Sequence, residues 1–144
     1  MKKVLFVCIH NSARSQMAEA YLKKFGKDNF FVESAGLEPG VLNPTVVKVM
    51  KEEDIDISNN VTNSVFSYLK EGRTYDYVIT VCDEASKERC PLFPGAHSQR
   101  LHWSFEDPSI NNRNESEQYL QHVRGIRDKI KAKILDFLKK TSLS

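Results

Sequence analysis

The chain has 144 residues, a length that suits one domain spanning 1–144 around a single hydrophobic core. With 40% hydrophobic residues, 28% charged residues and a net charge of +2, the composition is that of a globular protein and favours neither nucleic acid nor a membrane as a partner. No apolar stretch approaches the roughly 20 residues of a membrane-spanning helix, and residues 1–3 lead into the first predicted strand without the apolar region and cleavage site expected of a signal peptide. We therefore expect a cytoplasmic protein, and we expect a monomer.

The first predicted unit is a buried strand that runs into a loop and then a helix. Residues 4–7 (VLFV) form a continuous apolar run, which is typical of a central strand covered on both faces, and Cys8 ends it. Apolar side chains then recur at helical spacing over residues 14–25. This spacing predicts an amphipathic helix, with Gly26 as the residue just beyond its last turn.

The segment from Cys8 to Ser15 has the spacing Cys-x5-Arg-Ser and carries the strongest functional signal. At a strand-to-helix turn, successive backbone N–H groups form a nest for a tetrahedral oxyanion, and the helix N-terminus adds positive potential. The same field favours the Cys8 thiolate, and Arg14 can hold two oxyanion oxygens at once. A chance pairing of a buried cysteine with an arginine is the alternative, but the position at the turn favours an active site. The predicted oxyanion-binding residues are Ile9, His10, Asn11, Ser12, Ala13 and Arg14.

Three side chains of this segment have more than one interpretation. Ser15 could hydrogen-bond Cys8 and stabilise its thiolate, or it could serve the start of the helix, and both roles can coexist. Asn11 could bridge turns of the loop through its amide, or it could simply tolerate a left-handed conformation. His10 could tune anion binding, or it could contribute only its backbone.

The middle of the chain alternates strand and helix signals. A second strand is predicted at residues 30–36, parallel to the first because a helix connects the two. Asn43 followed by Pro44 predicts the N-cap and first residue of a helix that fades near Glu53. Further along, the pattern predicts an extended piece at 55–57, then a helix over 62–70 with Val65, Phe66 and Leu69 inward and Gly72 at its end.

A cysteine also follows the third predicted strand, as Cys8 follows the first. The apolar run at residues 77–81 predicts a third strand, and Cys82 follows it directly. The polar residues 83–89 predict either a helical turn or a mobile loop. The remaining signals predict a fourth strand at 99–103, a loop at 105–114 and a long helix at 115–140.

Strands that alternate with helices predict an α/β sandwich around a parallel sheet. In such sheets, ligands bind outside the carboxyl ends of the strands. Cys8 and Cys82 lie at two of these ends, on strands that we expect to be neighbours. Asp107 follows the fourth strand and could protonate an oxygen that a thiolate displaces, while a turn-forming Asp-Pro is the alternative interpretation.

The cysteine pattern favours redox chemistry over metal binding. Three cysteines do not make a structural disulfide framework, and Cys82 and Cys90 lack the short spacing and fourth ligand of a zinc site. A Cys82–Cys90 disulfide is feasible, and we favour a redox role over two unrelated buried thiols. Histidines without metal-ligand spacing occur at His97, His102 and His122, and we interpret Trp103 as a packing residue.

Together the motifs CIHNSARSQMAEA, ESAG, TVCDEASKERCP and HWSFEDP resemble those of arsenate reductases built on the low-molecular-weight tyrosine phosphatase fold. The resemblance covers nearly the whole chain. It implies a three-layer α/β sandwich with a four-stranded parallel sheet, and a role in arsenic detoxification. No tightly bound cofactor is implied.

For the residues of this chain, the resemblance implies a thiol–disulfide relay. Cys8 attacks arsenate held by the loop and Arg14, and Asp107 protonates the departing oxygen. Cys82 then attacks the Cys8 sulfur and arsenite leaves. Cys90 attacks Cys82 in turn, and thioredoxin reduces the resulting Cys82–Cys90 disulfide.

The sequence departs from the thioredoxin-linked members in three places. Ala13 stands where some members carry another cysteine, and the gap from Cys82 to Cys90 is one residue longer than in the best-known members. Some members bind a potassium ion near the loop. The matching residues are Asn11, Glu19 and Ser34, with Asn63 at the fourth position.

Two other function classes compete with the reductase. A tyrosine or small-ester phosphatase would need only Cys8, Arg14 and Asp107, but those enzymes tend to have Tyr where this chain has Ser109. The pair of redox-placed cysteines also favours the reductase. A non-catalytic oxyanion sensor or redox switch is the third class, and an intact set of nucleophile, arginine and acid argues against it.

Overall fold

The computed structural model describes residues 1–95, 97–108 and 116–142. Within these residues, four parallel strands form a sheet in the order β2-β1-β3-β4, which confirms the predicted fold class. The strands are β1 (Lys2–Cys8), β2 (Phe30–Gly36), β3 (Tyr77–Thr80) and β4 (Gln99–His102). The helices are α1 (Arg14–Gly26), α2 (Pro44–Lys51), α3 (Val65–Lys70) and α4 (Glu117–Ser142), and 3₁₀ turns cover Lys27–Asn29 and Glu84–Arg89.

Strand β1 lies in the middle of the sheet, as its apolar sequence predicts. Val4 and Phe6 face a core built with α1, α2 and α4, whereas Leu5 and Val7 face a second core that includes Val65 of α3. The sheet is therefore the central layer of three. Full burial of such side chains stabilises a fold by roughly 1.5–3 kcal/mol each, so this strand fixes the position of the Cys8 that ends it.

The local signal for the start of α2 is confirmed. Asn43 caps the helix, because its side-chain oxygen accepts hydrogen bonds from the N–H groups of Thr45 (2.9 Å) and Val46 (3.3 Å). Pro44 occupies the first helical position, where its missing N–H is no loss. Caps of this kind are worth about 1 kcal/mol.

The predicted end of α1 is wrong by one residue, and Gly26 does not end the helix as predicted. Gly26 is the last helical residue, and the positive φ, of 47°, is that of Lys27 after it. Glycine at position 26 leaves room for the Phe30 ring, because a Cβ there would lie 2.7 Å from the ring atom Cδ2 of Phe30. The helix spacing alone does not reveal this contact with the next strand.

The prediction for residues 62–70 is right about the helix but wrong about its start and about Phe66. The helix begins at Val65, with Ser64 as its N-cap, and Ser64 also bridges to Gly36 of β2. Phe66 is 48% exposed, whereas Val65 is buried. Residues 55–57 form no strand, although Ile57 is buried.

Two predicted elements extend beyond the described residues. Of the predicted loop at 105–114, the part up to 108 has neither helix nor strand, and 109–114 lie outside the description, as does the predicted helix start at Glu115. Within the described residues, α4 begins at Glu117. No helix in that part of the chain is both long and apolar enough to cross a membrane.

Candidate active site

The loop between β1 and α1 is held by backbone hydrogen bonds from the chain segment after β2. The N–H groups of residues 37, 38, 40 and 43 donate to the carbonyls of residues 8, 9, 10 and 12, at 2.7–3.1 Å. These bonds engage the carbonyls with the segment after β2 and so fix the path of the loop backbone. A loop whose carbonyls are already bonded is suited to offer its N–H groups to an anion.

Cys8 is buried and has two hydrogen-bond partners that stabilise a thiolate. Its sulfur lies 2.9 Å from the Ser15 hydroxyl and accepts the backbone N–H of Asn11 at 3.2 Å. The sulfur also lies at the N-terminal end of α1, where the helix dipole favours negative charge. The loop thus brings together the features of an activated nucleophile.

Asn11 both bridges the loop and adopts the left-handed conformation, so the two interpretations from the sequence coexist. Its φ is 54°, and its side-chain amide donates to Ser15 (2.7 Å) and Ser34 (2.9 Å). Its side-chain oxygen accepts the backbone N–H of Asn63 at 2.8 Å. Since Asn11 is fully buried, losing any of these hydrogen bonds would leave a polar group without a partner and destabilise the loop.

Arg14 and Asp107 meet although 92 residues separate them in the sequence. Arg14 is buried, its guanidinium donates to the Phe105 carbonyl at 3.1 Å, and it lies 3.8 Å from the Asp107 carboxylate. Asp107 is about one quarter exposed (26%). The loop after β4 therefore carries an acid at the edge of residues 9–13, which connect β1 to α1 and which we call the oxyanion loop, where the sequence predicted one.

Cys82 follows β3 and lies next to Cys8, as the strand-end argument predicts. Strands β1 and β3 are paired, and Val81 donates its N–H to the Val7 carbonyl at 2.8 Å. Burial, together with the charges of Asp83 and Cys8, raises the pKa of the Cys82 thiol to about 11. Arg14 acts in the opposite direction, because its positive charge favours the thiolate.

Cys90 is a buried thiol in the second core, on the face of the sheet where Leu5 and Val7 lie. Burial raises its pKa, and the positive charge of Arg100 lowers it. Cys8, Cys82 and Cys90 are all free thiols in this structure. The predicted Cys82–Cys90 disulfide stays a prediction.

Residues 83–90, which we call the redox segment, form a 3₁₀ turn over Glu84–Arg89, so the helical-turn alternative is correct. Exposed ion pairs hold the turn. Glu84 contacts Lys87 (2.9 Å) and His102 of β4 (2.8 Å), and Arg89 contacts Glu38 (2.7 Å). The segment is thus attached to β4 on one side and to the chain after β2 on the other.

Sequence reasoning missed two residues that shape the oxyanion loop. Gln16 is buried and links the loop to a neighbouring segment, since its amide donates to the carbonyls of Asn11 (3.0 Å) and Val61 (3.1 Å). Gly36 lies opposite Cys8 in the sheet, where a Cβ would come within 2.7 Å of the Asn11 nitrogen. The ESAG motif contains this glycine, but only the strand register reveals what it approaches.

The residues matched to a potassium site do not form an oxygen cage as arranged here. The Glu19 carboxylate accepts the Ser34 hydroxyl and pairs with the ammonium group of Lys23. The amide nitrogen of Asn11 donates to the Ser34 hydroxyl and that of Asn63 to the Ser34 backbone carbonyl, so both Ser34 oxygens already accept hydrogen bonds. Potassium binding at these residues stays a prediction. Among the described residues, His, Cys, Asp and Glu side chains form no cluster of three that could hold a metal ion.

Comparison with known proteins gives one consistent family. Residues 3–143 match the low molecular weight phosphotyrosine protein phosphatase family. An arsenate reductase of Shouchella clausii is 40% identical over 136 residues, which cover 94% of each chain.

Two solved structures have the same fold. One, of an arsenate reductase in its oxidized state, has a TM-score of 0.80 at 32% identity and covers 97% of this chain and 98% of its own. The other, of a thioredoxin-dependent arsenate reductase of Corynebacterium glutamicum, has a TM-score of 0.74 at 27% identity. That match covers 99% of this chain and 63% of the other.

Proposed function

The chain belongs to the low molecular weight phosphotyrosine protein phosphatase family, and we propose that it is an arsenate reductase that works by a three-cysteine relay. The observation that carries this proposal is the position of Cys82 beside Cys8, at the ends of two paired strands. Hydrolysis of a phosphate ester needs one cysteine, whereas a two-electron reduction consumes two thiols. The 40% identity to arsenate reductases supports the same function.

The first step binds arsenate and forms a bond from sulfur to arsenic. The backbone N–H groups of residues 9–14 and the Arg14 guanidinium hold the oxyanion over Cys8. The Cys8 thiolate, stabilised by the Ser15 hydroxyl at 2.9 Å, attacks arsenic. One arsenic–oxygen bond breaks, and Asp107 donates a proton to the departing oxygen.

The second step is the reduction itself. The Cys82 thiolate attacks the Cys8 sulfur, a sulfur–sulfur bond forms, and the sulfur–arsenic bond breaks with its electron pair moving to arsenic. Arsenic passes from the +5 to the +3 state, arsenite leaves, and two thiols become a disulfide. The positive charge of Arg14 opposes the rise in the pKa of Cys82 that burial causes, so one guanidinium serves both steps.

The third step makes the oxidised pair accessible to a reductant. Cys90 attacks the Cys82 sulfur, Cys8 leaves as a thiolate, and a Cys82–Cys90 disulfide remains. We propose thioredoxin as the dithiol that reduces it, by analogy with the Corynebacterium glutamicum enzyme. A cytoplasmic location fits a relay that starts from three thiols. Both the location and the monomeric state stay predictions.

The alternative within the family is a phosphatase that uses Cys8, Arg14 and Asp107. The first step of the relay resembles the first step of ester hydrolysis, since each displaces an oxygen from a tetrahedral oxyanion. We therefore expect slow hydrolysis of small phosphate esters as a side activity. Cys82 and Cys90 have no part in that reaction.

Disulfide mapping after a single turnover tests the proposal. Reduced protein is mixed with arsenate without any other thiol, trapped with an alkylating agent and digested for mass spectrometry. We expect about one arsenite per protein and a Cys82–Cys90 disulfide with Cys8 free. Cys90→Ser should release the same arsenite and stop at Cys8–Cys82. If Cys82 and Cys90 both stay reduced in the unaltered protein, the relay is wrong and the phosphatase becomes the better proposal.

A further inference from the structure

We propose that Arg100 of β4 is a positioning residue for Cys90, which fixes the end of the redox segment and supplies positive charge beside the thiol. The inference rests on the proposed relay, because it concerns the third step. Neither the family motifs nor the spacing of the cysteines points to this arginine. The observation that does so is a pair of hydrogen bonds from its guanidinium.

The guanidinium of Arg100 binds the backbone on both sides of the turn that leads to Cys90. Its Nη2 atom donates to the carbonyl of Cys90 at 2.8 Å and to the carbonyl of Lys87 at 3.0 Å. The Lys87 carbonyl also accepts the N–H of Cys90 at 3.3 Å, which closes the 3₁₀ turn. One nitrogen atom thus fixes where the Cys90 backbone lies relative to β4.

Arg100 differs from the neighbouring cationic residues in the groups that its side chain bonds. Lys87 and Arg89 lie in the same segment, but each is paired with a carboxylate, that of Glu84 and that of Glu38. Among the described residues, Arg100 has carbonyl oxygens as partners and no carboxylate within ion-pair distance. Its positive charge is therefore not cancelled locally, and it opposes the rise in the pKa of Cys90 that burial causes.

This arrangement matters only for the third step of the relay. The attacking group there is the Cys90 thiolate, formed by loss of its proton to solvent. It forms a bond to the Cys82 sulfur while the Cys8–Cys82 bond breaks and Cys8 takes the electron pair. The two earlier steps use Cys8 and Cys82, so removing Arg100 should leave arsenite release intact.

The test compares Arg100→Met and Arg100→Lys in a single turnover without thioredoxin, quenched with an alkylating agent at successive times. We expect Arg100→Met to release arsenite as the unaltered protein does. It should then accumulate the Cys8–Cys82 disulfide, with conversion to Cys82–Cys90 about 10-fold slower. Raising the pH should recover most of the rate, because the thiolate fraction of Cys90 grows. Arg100→Lys keeps the charge and should lie between the two.

Arg89→Met is the matched control. It removes a positive charge one residue from Cys90, but that guanidinium bonds Glu38 instead. We expect the pH dependence of Cys90 alkylation to shift upward in Arg100→Met and to stay in place in Arg89→Met. An unaltered pH profile in Arg100→Met would overturn the inference.

The kinetic outcomes separate this inference from the proposed function. Conversion in Arg100→Met that is as fast as in the unaltered protein, or faster, contradicts a positioning role. An equal slowing of arsenite release and conversion shows general damage to the site and also contradicts it. If the unaltered protein forms no Cys82–Cys90 disulfide, the relay itself is wrong.

Discussion

The oxyanion loop and the redox segment each hold a cysteine, but different kinds of contact hold them in place. The loop is fixed by buried hydrogen bonds among backbone and amide groups, with Asn11 fully buried at their centre. The redox segment is held mostly by side chains at the surface: ion pairs such as Glu84 with Lys87 and Arg89 with Glu38, and the hydrogen bonds from Arg100 to the Lys87 and Cys90 carbonyls. Buried hydrogen bonds are costly to break, whereas exposed ion pairs are individually weak and screened by salt.

This difference matches what each region has to do. The first step needs a fixed geometry, because the loop must present its N–H groups and Arg14 to one oxyanion. The later steps need the sulfurs of Cys8, Cys82 and Cys90 to meet in two successive pairs. A region held by weak, exposed contacts can change its arrangement without disturbing the rigid one.

The largest effect on the rigid region is expected from Arg14→Lys. Lysine keeps the charge, but its single ammonium group cannot hold two oxygens in one plane and also donate to the Phe105 carbonyl as the guanidinium does. We expect kcat/KM to fall about 10³-fold for arsenate and for a phosphate ester alike, which corresponds to ~4 kcal/mol. Arg127→Lys is the control, since Arg127 is also buried but bonds Glu52 and the Val49 carbonyl. That variant should melt at a lower temperature with kcat/KM nearly unchanged.

Gly36→Ala should have the next largest effect, because the added methyl group on β2 would clash with the backbone of the oxyanion loop. The new Cβ would lie 2.7 Å from the Asn11 nitrogen and 2.8 Å from the Ile9 oxygen, both backbone atoms that cannot rotate away. We expect a fall of about 100-fold in kcat/KM and a loss of roughly 1–3 kcal/mol in the free energy of unfolding. Steady-state kinetics measures the change in kcat/KM, and urea unfolding measures the change in the free energy of unfolding.

Gly125→Ala is the matched control for that substitution. Gly125 lies within α4, and nothing is within 4 Å of a Cβ built there. Alanine should raise the free energy of unfolding by up to ~1 kcal/mol and leave activity unchanged. A Gly36→Ala protein with full activity would contradict the rigid description of the loop.

The two regions also differ in how much of them the sequence predicts. In the loop, Cys8, Arg14 and Ser15 are close in the chain, so a strand followed by a helix is enough to place them together. The strand-end rule for parallel sheets also predicts that Cys82 and Asp107 come near. These predictions succeed because they need only local patterns and one general rule of sheet topology.

The contacts that the sequence does not predict depend on register. Gly36 lies beside the loop because it pairs with Cys8, and Arg100 lies beside the Cys90 carbonyl because of where the 3₁₀ turn returns to β4. Neither position follows from periodicity or spacing. The prediction for Phe66 also fails, because helical spacing does not distinguish Val65, which packs into the second core, from its exposed neighbour Phe66.

The smallest effect is expected from Glu84→Gln, and it tests the weakly held region directly. The hydrogen bond from Lys87 holds the pKa of Glu84 below its usual range, and His102 contributes in the same direction. A lowered pKa means that the carboxylate stabilises the segment at neutral pH and that this contribution is lost as the pH falls through the lowered value. Glutamine removes the charge at every pH.

We therefore expect amides of the redox segment to exchange several-fold faster with deuterium in Glu84→Gln at pH 7, while residues 9–14 exchange as before. The difference from the unaltered protein should vanish in acid, after correction for the intrinsic exchange rate, because the Glu84 carboxyl of the unaltered protein is then neutral, as the glutamine amide is at every pH. Glu117→Gln, which breaks an exposed ion pair with Arg124 on α4, should leave the segment unchanged. Faster exchange in the loop would mean that the two regions open together, and the relay would then have to disturb its own oxyanion site at every turnover.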